Sequence, residues 1–255
     1  MNEFWDRRAL PHRVYSYDAA AYTSPLLRGV EDPRPWQIQD VVARHVRSHH
    51  TIVDVGCGTA IKTIELARRA RRMIGVEPSP SMRIAAMGNA TDMGITNFTV
   101  VAGHSQELPL ADGGIDVLTS IMSPPDACEF GRVLRKGGVA VTESLGERDK
   151  YNVTVEFGRD ERGLRGLFAE CAEGERVAYL TEQFAAHFSD VETVEGRWRT
   201  RLSIEGLVLL LEQTPTVRGF DRARDTAALR RVVQQYGSPD GIETYQHRVL
   251  VVARK

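Results

Sequence analysis

Between residues 51 and 145, short apolar, β-rich runs alternate with segments of helical period. "TIVDV" (51–55) reads as a first strand, "RMIGVE" as a second, "NFTVVAG" as a third, "IDVLTSIM" as a fourth and "GGVAVTES" as a fifth. The intervening "TAIKTIELARRA" predicts one helix. "SPSMRIAAMGNATDMG" predicts another, with Ser79 as cap, Pro80 at its first position and Gly94 at its end. Strand and helix in alternation build a parallel sheet, and right-handed crossovers put helices on both faces.

Outside this stretch the pattern changes. "WQIQDVVARHV" predicts a helix before the first strand. "GLRGLFAECA", "TEQFAAHF", "IEGLVLLLEQT" and "ARDTAALRRVVQQY" predict helices after the fifth. "DVETVEGRWRTRLS" reads as extended and "ETYQHRVLVVARK" as a closing strand. The expected fold is α/β: a doubly wound, mostly parallel seven-stranded Rossmann-like sheet with an antiparallel last strand. Residues 1–50 form a helical lid segment, 51–145 the core, and 146–255 a helical insertion with the closing strands of the same domain.

The turn after the first strand, "VDVGCGTA", places Gly56 and Gly58 where the chain must bend sharply into a helix. Glycine permits the unusual dihedrals and lets a ligand lie against backbone N–H groups. Glu77 closes the second strand and faces the same crevice, where a carboxylate can accept both hydroxyls of a ribose. A dinucleotide turn reads GxGxxG around a pyrophosphate. Here no third glycine follows Gly58, and Asp54 precedes the turn, an acid that repels pyrophosphate and suits a cationic ligand.

"DVGCGTA", the acid ending the second strand, "GHSQELPLADGGIDVL" and "RVLRKGG" occur in this order over residues 51–145. Together they resemble the class I S-adenosylmethionine-dependent methyltransferases. The resemblance implies S-adenosyl-L-methionine as cofactor, with Asp54, Gly56 and Gly58 along its methionine part and Glu77, followed by Pro78, at its ribose. It implies His104 and Ser105, with Gln106, against the adenine, and Ser120 and Ile121 lining the pocket after the fourth strand. Ala60 stands where the family often has a third glycine, and His104-Ser105 where it often has Asp-Ala.

The segment "DVLTSIMSPPDACEFGRVLRKGG" is short, and it and "LLLEQTP" resemble methyltransferases acting on a guanine of large-subunit ribosomal RNA. "SPP" is similar to the (D/N)PPY motif of amino-group methylation, with Ser123 in place of the acid or amide and Asp126 in place of the aromatic. Tyr15, Tyr17 and Tyr22 form either a lid over cofactor and acceptor or an aromatic segment packed on the sheet; Tyr15 and Tyr22 are taken as cofactor contacts.

Composition narrows the partners. Lys+Arg 33 against Asp+Glu 34 gives a net charge of -1, which disfavours a nonspecific nucleic-acid coat. The favoured acceptor is the O or N of a small molecule, with an rRNA or tRNA base as the alternative. A nicotinamide or flavin oxidoreductase and a non-catalytic cofactor binder are further alternatives on the same topology. Cys57, Cys128 and Cys171 lie far apart without a CxxC pair, which suits a reducing cytoplasm, and "MNEFWDRRALPHRVYSYD" does not read as a signal peptide. "IEGLVLLLEQ" is too short to span a bilayer, so no membrane partner is expected. His45, His49 and His50 lack an acid or cysteine among them and read as a helix end, so no metal is expected. "GRWRTR" around Trp198 reads as an exposed strand and "RRARR" as a solvated helix end. No catalytic residue is assigned.

Overall fold

The computed structural model describes residues 18–255. Seven long strands form the sheet: β1 (Thr51–Val55), β2 (Arg72–Val76), β3 (Phe98–Val101), β4 (Ile115–Ile121), β5 (Leu134–Leu145), β6 (Asp190–Leu202) and β7 (Gly241–Arg254). Their order is β3-β2-β1-β4-β5-β7-β6. The first five are mutually parallel, and β7 runs antiparallel to both β5 and β6. The expected seven-stranded, doubly wound sheet is therefore present. Two short additions widen it: Val30–Glu31 pairs with the outer edge of β6, and Gly237–Ser238 with the start of β7.

Two apolar layers cover the sheet. On one face, α1 (Ile38–His45) and α2 (Pro80–Asp92) bury Val42, Ala86 and Ala90 against Ile52, Val117 and Val141. On the other, α3 (Ala127–Val133) and α4 (Glu175–Ala185) bury Phe130, Leu180 and Phe184 against Val53, Leu118 and Val249. The alternation of β1 thus sends Ile52 and Asp54 to the first face, and Val53 and Val55 to the second. A third cluster joins α5 (Ile204–Gln213) and α6 (Thr226–Tyr236) to Val153, Phe157 and Ile242.

The α2 boundaries match the sequence expectation. Ser79 Oγ accepts from Met82 N–H, Pro80 opens the helix, and Gly94 lies past its end at φ 63°. Two predicted helices are corrected. "TAIKTIELARRA" holds only a 3₁₀ helix, Ile64–Arg69, because Ala60 takes φ 57° and Thr63 Oγ1 reaches back to Asp54. That turn consumes the residues an α-helix would need to start. "GLRGLFAECA" forms no helix at all: Gly163 sits at φ 97°, and Gly166 packs on Thr154 too closely for a Cβ. Arg165 there is drawn into a buried ion pair with Asp225.

Candidate functional site

The site is assembled where the parallel strands end. Between β1 and β4 the strand order reverses, and open α/β sheets take ligands in the crevice outside such a point. Gly56 (φ 70°) and Gly58 (φ 55°) turn the chain just past β1. A side chain on Gly56 would fall on Ser123, so the turn packs against the loop after β4. Gly58 faces open space, with no atom within 4 Å of where its Cβ would be. Of the two turn glycines, Gly58 is the one that leaves room for a ligand beside its Cα.

Two acids flank the turn. Asp54 is 2% exposed, and its Oδ2 accepts from Thr63 Oγ1 at 2.5 Å. Burial pushes its carboxyl up to about 7; the Thr63 hydroxyl opposes the shift and the Glu77 charge adds to it. Glu77 is also buried, and its oxygens accept the Gly58 N–H (2.9 Å) and the Ser79 N–H (2.8 Å). Those bonds tie the end of β2 to the glycine turn and to the cap of α2. Burial and the same two acids push the Cys57 thiol far up, so it is a neutral filler in the turn.

The remaining sequence-derived positions fall around this centre. Half-buried Pro78 follows Glu77, its carbonyl and that of Glu77 accepting from Arg83 Nη1 (2.7 and 2.8 Å). Ser105 is buried and accepts from Gln106 Nε2 at 2.9 Å, while His104 is exposed in a tight turn bridged to Glu107. Ile121 shares the Asp54 face, packed on the α1–α2 layer, whereas strand alternation sends Ser120 to the other face with its hydroxyl unpartnered. Tyr22 ends a short helix, Ala19–Tyr22, that touches both α2 and α5, and Asp18 N–H donates to Gln213 Oε1 (3.3 Å). The described N-terminal residues thus bridge α2 and α5. Tyr15 and Tyr17 lie outside the described residues. His45 ends α1, but His50 sits beyond it, its Nδ1 accepting the Arg47 N–H (3.2 Å) and its Nε2 3.9 Å from Asp116.

Sequence reasoning missed three groups on the Asp54 face. Thr63 holds the Asp54 carboxylate. Thr119, paired in register with Asp54, keeps a buried hydroxyl without a partner. Glu143 lies level with Ile121 at 4% exposure and accepts the Trp36 indole N–H at 2.7 Å. The available signal for Glu143 was an acid in the otherwise apolar run "GGVAVTES", since buried carboxylates are rare unless paired. A separate cleft between Pro124–Cys128, the α4 residues Arg176 and Tyr179, and His187 just past that helix lies on the opposite side of the sheet from Asp54. It shares only the loop after β4 with the site.

A glycine turn flanked by buried acids, on an open sheet of this order, defines a Rossmann-like ligand-binding domain. Residues 52–138 match the family model described as a methyltransferase domain. The ubiquinone biosynthesis O-methyltransferase of Azorhizobium caulinodans is 28% identical over 124 residues, 45% of this chain and 49% of that protein. An uncharacterized methyltransferase of Mycobacterium sp. (strain JLS) is 31% identical over 175 residues, 64% of this chain and 60% of that one. The chain therefore spans about half to three-fifths of the length of these relatives. Among solved structures, the YcgJ protein of Bacillus subtilis aligns over 86% of this chain and 97% of its own, with a TM-score of 0.62 at 16% identity. Residues 52–138 are thus similar to a methyltransferase domain, and the sheet as a whole has the Rossmann-like fold of that solved structure.

Proposed function

We propose that this chain transfers the methyl group of S-adenosylmethionine to an oxygen or nitrogen atom of a small-molecule acceptor. The observation that carries the reading is the pairing of open space beside the Gly58 Cα with two buried acids, Asp54 and Glu77. A pyrophosphate would meet both carboxylates, whereas a ligand with a cationic amino-acid end and a ribose uses them. In this reading Asp54, Gly56 and Gly58 hold the methionine end, and Glu77 takes the ribose hydroxyls in place of, or beside, the Gly58 N–H. Ser105 and His104 border the adenine, and Ile121 and Ser120 the floor after β4.

The cofactor supplies a methyl already activated on a sulfonium. The protein's work is therefore alignment and exclusion of water. Orientation alone is worth effective molarities of up to about 10⁵–10⁸ M. In this reading the N-terminal segment, which touches α2 and α5, serves as the lid over the crevice. An acceptor hydroxyl must also lose its proton, and Glu143 is the carboxylate on this face nearest in register to the end of β4.

The small-molecule reading draws support from a relative named for ubiquinone biosynthesis and others named demethylmenaquinone methyltransferases. Calorimetry with S-adenosylmethionine and its demethylated product tests the first step. Binding in the micromolar range is expected for the wild type, and Glu77→Ala should weaken it by about tenfold or more, the loss of a charged hydrogen-bond acceptor being worth roughly 1.5–3 kcal/mol. No binding by folded wild-type protein sinks the proposal. Methyl transfer to total unmodified RNA, with none to small hydroxylated aromatics, would move the acceptor to a nucleic-acid base.

A further inference from the structure

A second cluster of acids and a histidine lies on the opposite face of the sheet. Glu147 follows β5, Glu195 is in β6 and His247 in β7, and one ligand atom from each lies within 4.8 Å of the others. The register explains the meeting. Glu195 pairs with Val249 and His247 with Arg197, so Glu195 and His247 sit diagonally on one face. Gly146 N–H bonds the His247 carbonyl (2.9 Å) and delivers Glu147 to the same place.

These groups are held firmly yet left incomplete. Glu147 Oε1 accepts the Gly174 N–H at 2.8 Å, and Glu195 Oε1 accepts from Arg197 Nε at 2.6 Å. The His247 ring lies flat on Gly146, too close for any Cβ there. Glu147 and His247 are 2% and 1% exposed, and Glu147 Oε2 and His247 Nε2 have no hydrogen-bond partner. Burying such groups unpaired costs several kcal/mol each, which a native fold rarely tolerates without return.

We propose that Glu147, Glu195 and His247 form a binding site for a divalent cation of the zinc type. In a tetrahedral site with metal–ligand bonds of about 2.0–2.2 Å, neighbouring ligand atoms stand roughly 3.3–3.6 Å apart. His247 Nε2 lies 3.4 Å from Glu195 Oε1. The charge also fits: a dication offsets two carboxylates, of which Glu195 pairs with an Arg197 guanidinium that is divided with Glu173. Glu147 also borders a small cavity with Asp149, Thr154 and Phe168. Arg148 N–H donates to His247 Nδ1 (3.0 Å), so the cation-free ring carries its proton on Nε2. A cation at Nε2 requires that proton to move to Nδ1 and the Arg148 N–H to give up its bond there, a cost that the metal–ligand bonds must offset. Bound there, the cation pins the start of the 146–189 segment and the N-terminus of α4 to the sheet.

The test uses the full chain after chelator treatment, titrated with zinc chloride by calorimetry and with cobalt chloride by visible absorption. Wild type should bind one cation per chain, show the absorption bands of tetrahedral cobalt, and melt at a higher temperature when loaded. Glu195→Gln, at the most exposed of the three positions, should fold and bind at least about tenfold more weakly. Glu147→Gln and His247→Gln should do the same where far-UV circular dichroism shows them folded. The proposal is overturned if folded wild type binds no stoichiometric cation. Equal binding by wild type and Glu195→Gln overturns it as well. S-adenosylmethionine binding, measured in parallel, reports on the other face and separates the two proposals.

Discussion

Asp54 is the residue whose state the fold changes most usefully. Its carboxyl is pushed up to about 7 by burial, so in the ligand-free chain it is partly protonated near neutrality. Because the folded value lies above the unfolded one of about 4, this group's contribution to stability is full in acid and is lost as pH rises through about 7. A cationic ligand favours the carboxylate, which reverses the dependence for binding. Affinity for S-adenosylmethionine should rise with pH up to about 7 and level off above it, being roughly tenfold weaker one unit below. Asp54→Asn should flatten that profile. A wild-type dissociation constant that does not change between about pH 6 and pH 8 would show that Asp54 does not face the ligand's charge.

Among the elements, the glycine turn tolerates little change at one of its two glycines. Gly56 combines a left-handed φ of 70° with the Ser123 side chain where its own Cβ would be. Gly56→Ala therefore adds about 1–2 kcal/mol of backbone strain to a steric clash. Urea unfolding should show a loss above that strain alone, and Gly56→Ala/Ser123→Gly should recover the clash but not the strain. Gly58→Ala keeps the strain without a clash, since its surroundings are open, and should weaken cofactor binding more than it lowers stability. Equal losses for the two single variants would contradict this division.

At the scale of the whole molecule, one buried ion pair ties the irregular 158–172 segment to the start of α6. Arg165 Nη1 and Nη2 each meet an Asp225 oxygen at 2.8 Å, and the guanidinium also caps the Arg218 and Gly219 carbonyls. The Arg165 hydrogen bonds hold Asp225 well below the usual carboxylate range. That depression makes the tie complete above the unfolded value of about 4 and weakens it as pH falls further. Arg165→Ala leaves the buried Asp225 with only the Asp221 N–H and a 3.5 Å contact to Arg224, and should cost about 3–5 kcal/mol by denaturant unfolding at neutral pH. The double variant Arg165→Met/Asp225→Leu should recover most of that loss. Failure to recover would place the cost in the carbonyl caps instead. Among the described residues no helix is long and apolar enough to cross a membrane.

Local physics made much of this protein legible in the chain alone. Strand runs, the Ser79–Pro80 cap, the glycine turn and the acids at positions 54 and 77 all depend on neighbours a few residues away. Such features survive in one dimension, and so does the family likeness they compose. Where tertiary contacts outbid propensity, the chain misled. Thr63 spent its helix start on Asp54, and Arg165 left a helical pattern to meet Asp225, 60 residues on. The position of Glu143 beside Trp36, and the meeting of Glu147, Glu195 and His247, belong wholly to the sheet. Strand register sets which distant side chains share a face, and pairing between segments a hundred residues apart leaves no local trace.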